Sequence, residues 1–303
     1  MTISKRSEKP SASERGVFIT GGQGFLGRAL AAALGAGGEW NVVQADLAGS
    51  GVKCDLLDQA AVLKLLGWFR PWKIYHLAGL FSGGYEENYK LNFLAAKNIL
   101  DAVRELKLPC RVLLTGSAAE YGFPDKNPVP ETAPLCPVTP YGFTKMLQTR
   151  LGEFYSRAYG LDIVTARIFN LTGPGISEAL FPGRVSRQIE DFKSGKARRI
   201  KVGRLDAYRD YLPVGEAAAA LRLVMDRGAA GGVYNVGSGR PVRMKALLAR
   251  LLAEAGVPYS AVEAAPQCAG SPGVNKIYAD ITRLKKLKSA PERKPAPAAR
   301  AKQ

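Results

Sequence analysis

The run Gly16-Val17-Phe18-Ile19-Thr20 is short, largely apolar and β-prone, and it ends in the turn Gly21-Gly22-Gln23-Gly24-Phe25-Leu26-Gly27. An Ala/Leu-rich helical stretch, Phe25 to Leu34, follows at once. A strand that passes through three glycines into a helix is tightly constrained. The first glycine allows the sharp turn, the second lets a pyrophosphate approach the backbone, and the third lets the helix pack on the sheet. The first N–H groups of the helix have no partner within it and face an anion. Gly21, Gly24 and Gly27 suit one glycine register, and Gly22, Gly24 and Gly27 suit the broader one.

The same alternation continues along the chain. Strands are expected at Trp40 to Ala45, Lys73 to Leu77, Arg111 to Thr115 and Asp162 to Ile168. Helices are expected at Asp58 to Phe69, about Asn88 to Leu106, and Tyr141 to Tyr159. This βαβ rhythm predicts an α/β protein, a Rossmann-like, doubly wound parallel sheet with right-handed crossovers. After Asn170 the rhythm loosens, with a helix near Phe181 to Lys193. The expected organisation is a polar N-terminal tail (1–15), a dinucleotide-binding domain (16–170) that also receives elements around 206–236, a smaller substrate-binding region (171–282), and a disordered basic tail (283–303).

Composition narrows the function. The net charge of +17 suggests a nucleic-acid partner, but residues 283–303 alone hold eight Lys/Arg against Glu292. A moderately positive body suits a diphosphate ligand equally well, which argues against nucleic acid as the main partner. With 47% hydrophobic residues spread in short runs, a sizeable core is expected and a membrane span is not. The basic start lacks an apolar stretch of the secretory type. Cys54, Cys110, Cys136 and Cys268 are scattered, and the chain has a single histidine. That pattern argues against a disulfide framework or zinc site and for a reducing, cytoplasmic location.

The chemistry-bearing residues come next. Asp46 closes the second strand, where a carboxylate can grip the adenosine ribose hydroxyls and repel a 2′-phosphate. NAD(H) is therefore favoured over NADP(H), with Arg28 the one cation able to reach a 2′-phosphate. Ser117 stands at the end of a strand in Gly116-Ser117-Ala118-Ala119-Glu120-Tyr121-Gly122, and Tyr141 precedes Lys145 by one helical turn. A free phenol, with pKa near 10, is a poor acid–base group at neutral pH, and an ammonium at i+4 is expected to bring it toward the working range.

These motifs, in this order, resemble the extended short-chain dehydrogenase/reductase family, the NAD-dependent epimerases, dehydratases and reductases of nucleotide sugars. The resemblance spans about residues 16–282. It implies that Ser117, Tyr141 and Lys145 are catalytic, with Tyr141 as proton donor and Lys145 also on the nicotinamide ribose. It implies cofactor contacts from Gly21, Gln23, Gly24, Phe25, Leu26, Gly27 and Asp46. Asp55 and Leu56 would hold the adenine, and Leu77, Ala78, Gly79 and Asn92 would lie near the nicotinamide ribose. His76, beside them, reads as a packed strand-end residue. Ala118 and Ala119 occupy the positions where the 4,6-dehydratases carry an acidic pair, which argues against dehydration.

The segments Arg167–Gly175, Val202–Tyr211 and Val233–Gly239 are most similar to the branch that reduces GDP-linked 4-keto-6-deoxy-mannose. By that match Asn170 and Arg209 would hold the nucleotide diphosphate, with Ser117 also touching substrate. Leu171 departs from that branch, where a histidine is common, and so does the basic C-terminus. The expected activity is NAD(P)-dependent reduction of a nucleotide-linked keto-sugar. The alternatives are a nucleotide-sugar 4-epimerase with tightly held NAD, or an RNA-binding protein on a dehydrogenase fold. A homodimer is expected through the helices that carry Leu91, Leu94, Ala95 and Ile99, and Met146, Leu147, Leu151 and Phe154.

Overall fold

Seven parallel strands form the central sheet of the computed structural model, which describes residues 16–264 and 276–293. They are β1 (Gly16–Thr20), β2 (Asn41–Asp46), β3 (Val52–Lys53), β4 (Lys73–His76), β5 (Arg111–Ser117), β6 (Asp162–Ile168) and, much later, β10 (Val233–Val236). Their spatial order is β10-β6-β5-β4-β1-β2-β3. The chain moves outward from β1 to β3 and then crosses back to β4. The crevice above the β1–β4 boundary is thus a topological switch point, the place where such sheets take ligands.

Both faces of the sheet are covered, which explains the near-continuous apolar strands. One face carries α2 (Gln59–Phe69), α4 (Ala95–Glu105) and α5 (Pro140–Tyr159), packed on Phe18, Ile74, Val112 and Leu114. The other carries α1 (Phe25–Gly35) and α7 (Val214–Arg227), packed on Val17, Ile19, Tyr75 and Leu113. The helix expected from Asn88 is in three parts. A short α3 (Tyr85–Asn88) enters one π-helical turn (Tyr89–Leu94), which leads into α4. Such π turns mark places where local geometry is bent to a purpose.

Later elements build a second region. Strands β7 (Asn170–Thr172), β11 (Pro241–Arg243) and β13 (Lys276–Ile277) gather around β9 (Tyr208–Pro213). Beside them β8 (Ile200–Val202) pairs with β12 (Val262–Ala264), and α6 (Phe181–Lys193) and α8 (Met244–Glu254) close a small core of Val185, Ile189, Ile200, Leu248 and Leu252. The expected return of residues 206–236 to the main sheet is met by α7 and β10 but not by β9, which organises the second sheet.

Arg111 ties these layers together. Its guanidinium is fully buried, pairs with Asp162 at 2.9 Å, and donates to the carbonyls of Met225 and Gly228 at 2.8 and 2.7 Å. The C-terminal end of α7 is thereby fixed to β5 and β6.

The basic tail needs correction at its start. Residues 282–289 are helical (α9, Thr282–Lys286, then a 3₁₀ turn), and Leu284 and Leu287 are buried against the α1/α7 face. Arg227 donates to the Leu287 carbonyl, and the Arg293 N–H to that of Asp226 at 2.7 Å. Ile281, Leu284 and Leu287 recur at helical spacing, and the lysines between them disguise the stripe. The rest of that tail, the N-terminal 1–15 and Cys268 lie outside the described residues. Among the described residues no helix is long and apolar enough to cross a membrane, and no acidic, His or Cys group is arranged to hold a metal. Cys54 and Cys110 are free and buried; burial pushes their thiols up to about 11 and about 12.

Candidate active site

The glycine turn has the geometry of a phosphate cradle. Gly21 has φ +66°, and a Cβ there would lie 2.7 Å from the Ala78 nitrogen. A Cβ on Gly27 would lie 2.2 Å from the Gly21 carbonyl oxygen. Gly24 caps α1 with no side chain over the helix end. The register that sequence left open is thus Gly21, Gly24 and Gly27, while Gly22 is kept small by Gln44, whose Cβ would stand 2.6 Å from an added methyl. Asp46 accepts the Gln23 N–H at 3.1 Å and the Leu47 N–H at 2.8 Å, so its carboxylate sits at the mouth of the turn. The Gln23 side chain donates to Gln44 Oε1 at 2.7 Å. Arg28 folds back to donate to the Gln23 carbonyl. The turn, the bare helix end and the terminal carboxylate together suit a dinucleotide.

Leu77, Ala78 and Gly79 follow the end of β4. Ala78 packs against Gly21, and Leu77 and Gly79 line the cleft. Three further residues expected near the cofactor, Asn92, Asp55 and Leu56, are also engaged within the fold. Asn92 is wholly buried in the π turn and absent from the cleft wall. Its Oδ1 accepts the Leu80 N–H at 2.8 Å, and its Nδ2 donates to Leu80 O, Asn88 Oδ1 and Thr144 Oγ1 at 2.9 to 3.1 Å. Burying an amide requires such partners, and here they brace the loop after β4. Asp55 and Leu56 form the entry to α2. Asp55 is exposed and its Oδ1 accepts the Leu57 N–H at 2.9 Å, while the Leu56 side chain is buried in the core.

Ser117, Tyr141 and Lys145 do meet, on one wall of the cleft. Ser117 ends β5, where its hydroxyl accepts the Ala119 N–H at 3.2 Å. Thr139 caps α5 through the Gly142 N–H at 3.0 Å, and Pro140 opens its first turn. Tyr141 is hydrogen-bonded to Ser117. Burial pushes the Tyr141 phenol above its ordinary pKa, the Ser117 bond opposes this, and Glu120 adds to the rise. The expected lowering by Lys145 is not found in the chain alone. The ammonium is spent instead on the Thr115 carbonyl and Gln148 Oε1, both at 2.9 Å, and burial brings Lys145 down to about 8.

Glu120 is fully buried and does not line the cleft. Its oxygens accept Arg167 Nε at 2.8 Å, the Ser117 N–H at 2.8 Å and the Thr149 hydroxyl at 3.1 Å. It therefore holds the Ser117 turn and presents no acid to a ligand. His76 is also fully buried, with Nδ1 2.8 Å from Thr20 Oγ1. Desolvation first, and the Lys145 charge second, push it down to about 3.

Asn170 and Arg209 face these groups from the second region and line the same cleft, of about 500 Å³. Asn170 Nδ2 donates to the Asp210 carbonyl at 3.1 Å, and Arg209 donates to the Tyr208 carbonyl at 2.8 Å. Asp210 is buried, accepting the Ser238 N–H and hydroxyl on one oxygen and the Gly239 and Ala279 N–H groups on the other. Sequence reasoning missed the apolar walls at Leu80, Phe81, Val138, Leu180 and Phe181, which come from loops and a helix start without a motif.

With this geometry, the chain belongs to the NAD dependent epimerase/dehydratase family, which it matches over residues 17–237. It is 29% identical to the GDP-6-deoxy-D-mannose reductase of Pseudomonas aeruginosa, over 78% of this chain and 79% of that one. It is 27% identical to the dTDP-6-deoxy-L-talose 4-dehydrogenase (NAD(P)(+)) of Kitasatospora kifunensis, over 90% and 89%. Among solved structures, RMD from Pseudomonas aeruginosa complexed with NADPH superposes with a TM-score of 0.80 at 26% identity, covering 92% of this chain and 93% of that one. A UDP-glucose 4-epimerase of Thermotoga maritima with UDP-glucose gives a TM-score of 0.80 at 25% identity, covering 91% and 93%.

His76 generates a pH prediction. Its folded pKa of about 3 lies below the ordinary 6.5, so the unfolded chain binds the extra proton between those values. Stability therefore falls as pH drops below about 6.5, by about 1.4 kcal/mol per pH unit from this group. Urea unfolding between about pH 7.5 and about pH 5 should show that slope, and His76→Gln should flatten it. A wild-type stability that stays level over the window contradicts a buried neutral imidazole.

Proposed function

We propose that this protein reduces a nucleotide-linked 4-keto-6-deoxy-hexose at C4 with a nicotinamide cofactor, the nucleotide being GDP by preference. The observation that carries the reading is the convergence of Ser117, Tyr141 and Lys145 with Asn170 and Arg209 on one cleft at the switch point. The similarity to the Pseudomonas reductase supports the sugar and base. The glycine turn, Asp46 and the β4 loop would hold the cofactor, which supplies the hydride when bound. Ser117 polarises the carbonyl oxygen, and Tyr141 gives it a proton as the carbonyl carbon becomes C–H. The raised phenol suits an acid, because it stays protonated until that moment. Lys145 then stabilises the phenolate until solvent restores the proton. Arg209 and Asn170 hold the diphosphate. Glu120, locked on Arg167, is unavailable for removing water, which favours reduction over dehydration. The intact trio favours an enzyme over an RNA-binding protein on the same fold, and NADH-dependent chemistry suits a cytoplasmic setting.

Asp46 at the mouth of the turn repels a 2′-phosphate, so NADH should serve better than NADPH, although RMD was solved with NADPH. The experiment is reduction of GDP-, dTDP- and UDP-linked 4-keto-6-deoxy-hexoses with each cofactor. Tyr141→Phe should bind NADH normally and lose about 10²-fold or more in kcat. The wild-type kcat/KM should decline above about pH 8, where Lys145 gives up its proton. Full activity in the Tyr141 variant refutes its role as proton donor, and a clear preference for NADPH moves cofactor choice from Asp46 to Arg28.

A homodimer through α3–α4 and α5 belongs to the same proposal. Of the residues expected to support it, Ala95, Ile99 and Leu151 pack on the sheet, whereas Phe154 is exposed. The outer face carries Tyr85 stacked on Tyr89 and Tyr89 on Phe93, with Phe143 exposed against Tyr85, and Phe154 is exposed against Tyr159 on α5. Such an aromatic patch calls for a partner surface. Light scattering at micromolar concentration should give twice the chain mass, and a fully active monomer would rule the dimer out.

A further inference from the structure

Gln148, less than one turn beyond Lys145 on α5, is wholly buried, and the chemistry above gives it no part. Its Oε1 accepts the Lys145 ammonium at 2.9 Å, while its Nε2 has no hydrogen-bond partner among the described residues. An unpartnered buried amide nitrogen is a standing disadvantage to folding. Methionine would fill much the same space without it, so the amide oxygen is the group that earns the position.

An ammonium carries three N–H donors. The Thr115 carbonyl and Gln148 Oε1 take two of them, and the third is left for the cleft that Lys145 lines. We propose that Gln148 is a positioning residue for Lys145, which together with the Thr115 carbonyl aims the third N–H into the cleft and keeps the ammonium charged there. The inference rests on the hydride-transfer reading, in which that charge stabilises the Tyr141 phenolate. A neutral acceptor suits the task better than a carboxylate would. It favours the charged lysine without cancelling the charge that the tyrosine needs.

The titratable groups facing Lys145 are His76 from β4, Glu120 from the turn after β5, and Tyr141 on α5 itself. The loop after β4 and the π turn contribute only Gly79 and Asn92, which are uncharged. His76 is neutral, and Glu120 is held by Arg167. Gln148 is therefore the side chain that accepts a hydrogen bond from Lys145.

The test uses Gln148→Met and Gln148→Glu in the full chain, with two readouts. The first is the alkaline limb of kcat/KM for keto-sugar reduction. The second is urea stability between about pH 7 and about pH 10, which needs no activity. A lysine with a lowered pKa gains stability as pH rises through its folded value, so the onset of that gain reports Lys145 directly. Gln148→Met should move both features down by about 1 pH unit, the scale of one hydrogen bond to the charged form, and Gln148→Glu should move both up. Two variants that keep the wild-type limb and stability profile, or shift them in the same direction, overturn the proposal. A wild type that reduces no nucleotide-sugar overturns the hydride-transfer reading alone, since the stability profiles still report the coupling of Gln148 to Lys145.

Discussion

At the start of α5 the backbone comes so close to the turn after β5 that a methyl group on Gly142 would stand 2.4 Å from the Ala119 carbonyl oxygen. Most of the site depends on that approach. It brings Tyr141, the residue before this glycine, onto Ser117, and it carries Lys145 down to the Thr115 carbonyl. Thr139 and Pro140 fix where the helix begins, so the approach has one register. A side chain at position 142 would lift α5 away and separate the three groups together.

A buried ionic network supports this contact from below. Glu120 ties the Ser117 turn to Arg167 on β6, and Arg167 also donates to the Tyr121 hydroxyl. That hydroxyl meets Asn235 on β10, whose amide reaches the Val129 carbonyl. The Val129 segment in turn pairs with Ala279, and the Ala279 N–H donates to Asp210, next to Arg209. One continuous set of satisfied polar groups therefore runs from the Ser117 side of the cleft to its Arg209 side. Networks of this kind are rigid when complete. Burial pushes Glu120 up while Arg167 and the Ser117 N–H pull it back, so the pair is held by its hydrogen bonds as much as by charge.

Much of this was legible in the sequence because local rules decided it. A strand, three glycines and a helix have one common solution, and the Tyr141–Lys145 spacing places both side chains on one helix face whatever surrounds them. What sequence could not give were the facts set by distant partners. Asn92 lies at an ordinary helical position, and only the π turn and the loop after β4 make it an internal brace. Asp55 and Leu56 stand at the entry to α2, where Asp55 also accepts the Leu57 N–H and Leu56 also packs into the core. The Lys145 charge was expected to act on Tyr141 through spacing alone, yet Thr115, thirty positions earlier, and Gln148 accept two of its three N–H groups. Leu284 and Leu287 were hidden among lysines because composition counts charge and ignores period. The aromatic ladder Tyr85, Tyr89 and Phe93 recurs at i, i+4 and i+8, but the same stretch also carries an apolar stripe that packs on the core, and sequence alone does not rank the two faces.

The central claim is a net hydride transfer to a nucleotide-linked ketone, assisted by Tyr141 and Lys145. The most direct measurement supplies a GDP-linked 4-keto-6-deoxy-hexose with NADH deuterated at nicotinamide C4 and follows both reactants. One NADH should be oxidised per sugar reduced, with deuterium at C4 of the product from the labelled face. Interconversion of C4 epimers of a nucleotide sugar with no added cofactor consumed and no label incorporated would contradict it, and would make the protein an epimerase.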